Sequence, residues 1–336
     1  MGAQCRVVLG MAVMLSLLAG PAMGDITLNY LGAFNTGLSG AYGGDVAFNP
    51  AGNGGAGSLF LSRSPTSTSK EIYELTIPAL VNTSDVNALN TASTLQSFDT
   101  SLSPQGLVLR STDGRLYYGA VAGASAQSFR SINTDGTDES PANSTMSWGY
   151  VGLDITQVPD DWAASYAGGK NLVAVGSFYG ICLQAIDPWN STVTPTALVK
   201  YDATHQMAGY DYSDTFAGVQ WITVGSESYL LVAGTDSSEA AATFWFYRAS
   251  DIMGAAHPYD PQPYMTLSVQ DKLFNGPSAK ELWGLAYDEQ KQILYGYEGG
   301  YQRPTIVHAW AVPEPATMTL VVLGGMAVLR RRPRKD

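Results

Sequence analysis

Three short runs sit close together near the end of the chain: Trp283-Gly284-Leu285-Ala286-Tyr287, Ile293-Leu294-Tyr295-Gly296-Tyr297 and Thr305-Ile306-Val307-His308-Ala309-Trp310. A polar turn, 288–292, divides the first two, and a gap opening with Gly299-Gly300 divides the second from the third. Aromatic and β-branched runs bounded by turn residues read as strands, because such side chains suit a pleated, half-buried surface. The same order occurs as Gly44-Asp45-Val46-Ala47-Phe48, Ser58-Leu59-Phe60-Leu61 and 70–77, and again as 218–224, 229–233 and Ala242-Thr243-Phe244-Trp245-Phe246-Tyr247. Weaker copies pair 105–110 with 116–121, and 149–155 with 172–176. Each unit reads as an inner strand, a hairpin turn, a second strand and an outer strand. Asp113-Gly114 predicts a tight type I′ turn in one of these hairpins.

Three further extended stretches, 26–34, 196–202 and 264–271, remain. Each is read as the outermost strand of the unit before it. The last unit runs into Pro313 without a fourth strand, so its outermost strand has to come from the other end, where Ile26, Leu28 and Tyr30 alternate. The predicted fold is therefore all-β, a five-bladed β-propeller closed by its N-terminal strand, with a β-sandwich as the alternative.

Composition agrees. Charged residues make up 14% of the chain, against about 25% in an average soluble protein. Apolar residues make up 45%, with 7 Trp and 19 Tyr, which is enough to build a core and argues against disorder. So few charges leave few of the Glu–Lys pairs that decorate solvated helices, which argues against a mostly helical fold. A formal charge of −11 weighs against nucleic acid as a partner, since that surface selects clustered Lys and Arg.

Both ends read as addresses. Arg6, the apolar run 7–18 and the small-residue stretch Ala19-Gly20-Pro21-Ala22-Met23-Gly24 have the layout of a secretory signal peptide, so residues 1–24 are expected to be removed. Export through a translocon follows. At the other end, Val312-Pro313-Glu314-Pro315-Ala316 precedes an apolar run to Leu329 and then Arg330-Arg331-Arg332-Pro333-Arg334-Lys335. The run is long enough for a hydrophobic helix of about 21 Å, and the basic cluster would stay cytoplasmic. In this order the residues resemble the PEP-CTERM sorting signal of bacterial exported proteins. Pro313, Glu314, Pro315, Arg330, Arg331 and Arg332 carry the resemblance, and Pro333 interrupts the basic run. The resemblance implies processing by an exosortase-type enzyme, transient anchoring through the C-terminal helix, and a destination at the cell surface or in extracellular matrix. It implies extracellular polysaccharide or surface proteins as partners. It says nothing about the domain 25–312, which precedes the sorting segment 313–336. Between Asp25 and Val312 lie 12 basic and 27 acidic residues, so the exported domain is strongly acidic.

Chemical motifs in that domain are scarce. Cys182 lies in a strand-like stretch and reads as an inert buried thiol. Gly52-Asn53-Gly54-Gly55-Ala56-Gly57 has the spacing of a dinucleotide loop but leads into a strand, not a helix, and reads as a hairpin loop. Around Asp135, Asp138 and Glu139 oxygen-bearing residues alternate, a pattern that suits calcium, although the spacing and final Glu of an EF-hand loop are missing; a solvated acidic turn is the alternative. No other cofactor is expected. His205, His257 and His308 fall in no metal-binding motif. Asp45 and Asp154 fall on inner strands, where a propeller hydrolase would carry its carboxylates, but Gly106 to Arg110 supplies no third acid, so a structural role is favoured. The candidate ligand loop is 203–217, with His205, Tyr210, Asp211, Tyr212 and Asp214. The expected role is non-enzymatic contact with glycan or surface proteins. A polysaccharide hydrolase or lyase, and a membrane-tethered sensor, are the alternatives.

Overall fold

The computed structural model describes residues 26–39, 44–63, 70–121, 127–141, 143–146, 152–176, 182–186, 196–200, 215–236, 241–254, 263–274, 282–299 and 304–312. Its strands in chain order are β1 (Asn29–Ser39), β2 (Val46–Asn49), β3 (Ser58–Arg63), β4 (Glu71–Thr76), β5 (Thr94–Asp99), β6 (Pro104–Leu109), β7 (Arg115–Val121), β8 (Gln127–Asn133), β9 (Asn143–Met146), β10 (Gly152–Gln157), β11 (Leu172–Gly176), β12 (Cys182–Ile186), β13 (Thr196–Lys200), β14 (Thr215–Val224), β15 (Glu227–Asp236), β16 (Ala241–Arg248), β17 (Met265–Ser268), β18 (Leu282–Asp288), β19 (Ile293–Glu298) and β20 (Pro304–Ala311). Among the described residues they form separate antiparallel sheets of four strands, β2–β5, β6–β9, β10–β13, β14–β17 and β18-β19-β20-β1. The first strand of each sheet, β2, β6, β10, β14 and β18, touches the first strand of the next, and β18 touches β2. The arrangement is propeller-like and is not a two-sheet sandwich.

The core lies between neighbouring sheets. Phe60, Leu107, Leu116 and Tyr118 join the first sheet to the second. Tyr117, Phe129, Ile155 and Leu172 join the second to the third. A short helix, α1 (Asp160–Tyr166), adds Trp162 to the next interface, where it packs with Trp221, Val232 and Trp245. Ile222, Phe244, Leu285 and Trp310 fill the following interface, and Phe34, Leu59, Tyr295 and Val307 fill the one that brings the last sheet back to the first. Strand β16 has seven of its eight residues buried, as expected where a strand is covered on both faces.

The N-terminal strand takes the place expected of it. β1 pairs antiparallel with β20, from Asn29 opposite Ala311 to Phe34 opposite Val307. Its other edge is covered too. Ala33 and Val81 exchange two backbone hydrogen bonds of 3.0 Å, and Asn35 bonds to Asn90 and Ala92, so the segment between β4 and β5 caps a strand edge that would otherwise expose free N–H and C=O groups. Gly32 permits this approach. Its φ is +130°, and a Cβ there would stand 2.7 Å from the carbonyl carbon of Val81.

One local expectation is corrected. The Asp113-Gly114 hairpin is not type I′, because among the described residues only Gly114 of this loop has a positive φ, +68°, whereas I′ needs two. Instead Arg110 pairs with Arg115 across a four-residue loop, and Gly114 N–H donates to the Arg110 carbonyl at 2.9 Å. The loop after Gly52 is a hairpin connection as expected, a tight turn over Gly52–Gly55 in which Asn53 (φ 50°) and Gly54 (φ 67°) are left-handed. The predicted hydrophobic helix at 316–329 lies outside the described residues. Among the described residues no helix is long and apolar enough to cross a membrane.

Candidate functional site

The five inner strands meet at one structurally equivalent position, occupied by Asp45, Gly106, Asp154, Gly218 and Gly284. Pairing to the second strands fixes the correspondence: Val46, Leu107, Ile155, Val219 and Leu285, the next residues along, lie opposite Leu61, Tyr118, Ala174, Val232 and Gly296. In four of the strands the register slips by one residue just before this position, a β-bulge at Gln105, Leu153, Ala217 and Trp283. These innermost strands have one edge without a strand partner, and their N–H groups need acceptors.

Two carboxylates supply all five. Asp45 Oδ1 accepts from Val46 N at 2.7 Å, and its Oδ2 accepts from Leu107 N at 2.5 Å. Asp154 Oδ1 accepts from Ile155 N at 2.6 Å, while its Oδ2 accepts from Val219 N at 2.6 Å and Leu285 N at 3.2 Å. The glycines make the room. A Cβ on Gly284 would lie 1.9 Å from Asp45 Oδ1, and one on Gly106 would lie 3.2 Å from the Asp154 Cα. Each acid thus stitches its own sheet to one or two others at the axis.

Both acids are wholly buried and hydrogen-bond each other. Burial pushes the Asp45 carboxyl well above the usual carboxylate range, with the neighbouring Asp154 charge adding to the effect. Burial also raises Asp154 to about 7, opposed by the hydrogen bonds it accepts. Two like charges this close cannot both ionise, so the pair holds a proton between them. Hydrolase carboxylates stand ~5–10 Å apart with a sugar between them. Asp45 and Asp154 instead touch, and their oxygens accept from backbone N–H groups.

A cavity of about 270 Å³ opens near the axis at the hairpin ends of the inner strands. Ser111 from the β6–β7 hairpin, Gln157 at the end of β10, Gln220 and Trp221 of β14, Tyr287 of β18 and Glu289 just beyond it line the wall. Gln157 Oε1 accepts from Ser111 N at 2.8 Å and Ser111 Oγ at 3.2 Å, and Gln220 Nε2 donates to the Trp221 carbonyl at 2.9 Å. The indole of Trp221 packs edge-on to Trp162 with ring centroids 5.3 Å apart. No motif announces this cavity, because its lining comes from four sheets and spans 179 positions of sequence from Ser111 to Glu289 inclusive. The one available signal was topological. The expected ligand loop precedes β14, whereas the cavity lies toward the opposite end of that strand.

The other sequence candidates are scattered. His205, Tyr210, Asp211, Tyr212 and Asp214 lie outside the described residues, as do His257 and the sorting residues Pro313, Glu314, Pro315, Arg330, Arg331 and Arg332. Asp135, Asp138 and Glu139 do not converge. Asp135 accepts from Thr137 N and Oγ1, Asp138 pairs with Arg115 at 2.8 Å, and Glu139 accepts from Ser101 and Tyr118. Among the described residues no group of three or more His, Cys, Asp and Glu side chains is placed to hold a metal ion. His308 is fully buried on β20, between Glu298 at 2.7 Å and the Tyr30 hydroxyl at 3.1 Å, so it ties the N-terminal strand to the last sheet. Burial, then the charges of Glu298 and Asp271, push the Tyr30 hydroxyl above its ordinary range. Cys182 falls on β12, a strand as expected.

Comparison with known proteins bears mainly on the tail. Residues 311–335 match the model of the PEP-CTERM protein-sorting motif. That motif implies an exported, surface-associated protein processed by an exosortase. No curated protein matches the chain. Among solved structures, one described as "Crystal Structure of Mitotic Checkpoint Complex" is similar at 13% identity and a TM-score of 0.33, over 76% of this chain and 62% of that one. Another, "Structure of Dos1 propeller", is similar at 10% identity and a TM-score of 0.34, over 81% of this chain and 54% of that one. The chain thus spans less than two thirds of either, and at these scores neither likeness bears on its role.

Proposed function

We propose that this chain is an exported surface or matrix-associated protein whose domain 25–312, closed as a five-bladed propeller, holds glycan or other surface proteins without transforming them. The observation that carries the reading is the sorting motif at 311–335, which begins on the last residue of β20 and so follows the domain directly. The layout of residues 1–24 as a signal peptide supports export from the other end. The non-enzymatic part is supported by the two axial acids, whose oxygens are committed to backbone N–H groups. A rigid ring with a strongly acidic exterior suits display on a surface, where it stays soluble and repels acidic polymers.

Replacing Arg330, Arg331, Arg332, Arg334 and Lys335 by neutral residues tests the assignment in the producing cell. The precursor is expected to accumulate unprocessed or to lose its orientation, because the basic cluster holds that end in the cytoplasm. Normal maturation and release of the variant would overturn the reading.

A further inference from the structure

We infer that the axial cavity is a binding site for a single uncharged pyranose unit of a polysaccharide. This rests on the glycan-contact reading above and gives it a place and a ligand class. Small-molecule sites are concave, with apolar walls and a few placed polar groups. This one has both. At about 270 Å³ it sits just below the ~300–1,000 Å³ of drug-sized sites, which is room for one ring and not for a chain.

The polar groups are set in complementary roles. Ser111 occupies Oε1 of Gln157, which fixes the amide and turns its NH₂ to donation. Gln220 spends its NH₂ on the Trp221 carbonyl, which leaves its Oε1 to accept. A sugar hydroxyl both donates and accepts, so one fixed donor and one fixed acceptor suit it. Trp221 is 9% exposed, and its ring, packed edge-on against Trp162, supplies an apolar part of the wall. Tyr287 is pinned by its hydroxyl to the Thr223 carbonyl at 3.4 Å, so its ring is held as a wall against which the C–H face of a sugar rests.

Charge selects among sugars. Among the described residues no basic side chain lines the cavity, and the exposed Glu289 stands on its rim. A uronic acid would meet that carboxylate without a compensating cation. An uncharged hexose meets no such opposed charge on entry.

The test is a titration of the full-length chain, kept in a polyoxyethylene detergent so that no sugar-based detergent competes. Methyl glucoside, methyl galactoside and methyl mannoside are the neutral probes, with methyl glucuronide as the charged one. Calorimetry and tryptophan fluorescence report binding. At least one neutral glycoside is expected to bind near the millimolar range and the glucuronide at least ~10-fold more weakly, with Glu289→Gln narrowing that gap. Gln157→Ala and Tyr287→Ala should each weaken binding ~10-fold or more, while Tyr287→Phe, which keeps the ring but not its anchor on Thr223, should weaken it less than Tyr287→Ala. Melting temperatures identify any variant that merely unfolds, and Gln157→Glu, which keeps an acceptor for Ser111 N but removes the NH₂ donor, then serves in its place and should weaken binding likewise. Absence of binding by every neutral glycoside overturns the site. Binding of a neutral polysaccharide that Gln157→Ala and Tyr287→Ala leave unchanged also overturns the site but leaves the glycan reading standing. Failure of both monosaccharides and polysaccharides to bind removes the glycan reading as well.

Discussion

Replacing Asp154 by Ala removes the acceptor for three backbone N–H groups, those of Ile155, Val219 and Leu285, which belong to three different sheets. A buried donor left without a partner costs about 1–3 kcal/mol. Water entering the vacated space recovers part of that, so the lower half of the range applies, and three donors give a loss of about 3–6 kcal/mol. Domains of this kind have about 5–15 kcal/mol in total, so the variant should lose a large share of its stability. Urea unfolding of the domain 25–312 near pH 5 reads this directly. At that pH Asp154, raised to about 7, is protonated in the folded wild type, so the comparison is free of a buried charge. Asp135→Ala, on an exposed turn, is the control and should stay within about 0.5 kcal/mol of wild type. A loss below about 1 kcal/mol for Asp154→Ala would refute the idea that the two acids hold the ring at its axis.

The same acid predicts a pH dependence. Its folded value, about 7, lies above the ordinary 3.8, so the folded state keeps a proton that the unfolded chain has released, and the associated stability is full below about pH 4 and lost as pH rises through about 7. The stability difference between wild type and Asp154→Asn should therefore fall across that window, and a constant difference would show that Asp154 titrates normally. Gly284→Ala should destabilise by roughly 1–3 kcal/mol or more in a thermal melt, since its Cβ would sit 1.9 Å from Asp45 Oδ1; an unchanged melting temperature would mean the axis is looser than its contacts imply. Phe34→Ala in β1 should cost about 3–5 kcal/mol, because Phe34 is fully buried where the last sheet meets the first, and deletion of 25–39 should abolish cooperative unfolding. Cooperative, near-wild-type unfolding of the deletion would make the N-terminal strand dispensable.

Second strands were legible because they are buried on both faces and carry apolar runs, as in Leu230, Leu231 and Val232 of β15. The union of β1 with β20 was legible by elimination, since one unit lacked a strand and one strand lacked a unit. The outer strands were harder. β5 has mostly exposed side chains, Leu95 among them at 42%, and of its residues Phe98 reaches inward to meet Phe60 at 6.4 Å, so no apolar run marks it. β9, Asn-Ser-Thr-Met, offers no apolar run either. For the acids, identity was visible and role was not. Asp45 and Asp154 could be placed on inner strands, but that they serve the N–H groups beside Gly106, Gly218 and Gly284 depends on bulges and on contacts between residues as many as 131 positions apart. Asp138 and Glu139 misled for the same reason. Spacing alone suggested shared chelation, whereas strands folded in from elsewhere bring Arg115 to one and Tyr118 to the other.

The most direct test of the account is mass spectrometry of both termini of the protein recovered outside the cell. The recovered chain is expected to begin near Asp25 and to end close to Pro313-Glu314-Pro315, with the apolar run and the basic cluster gone and the paired strands β1 and β20 both retained. An exported chain that still carries residues 316–336, or a full-length chain found only inside the cell, would contradict it.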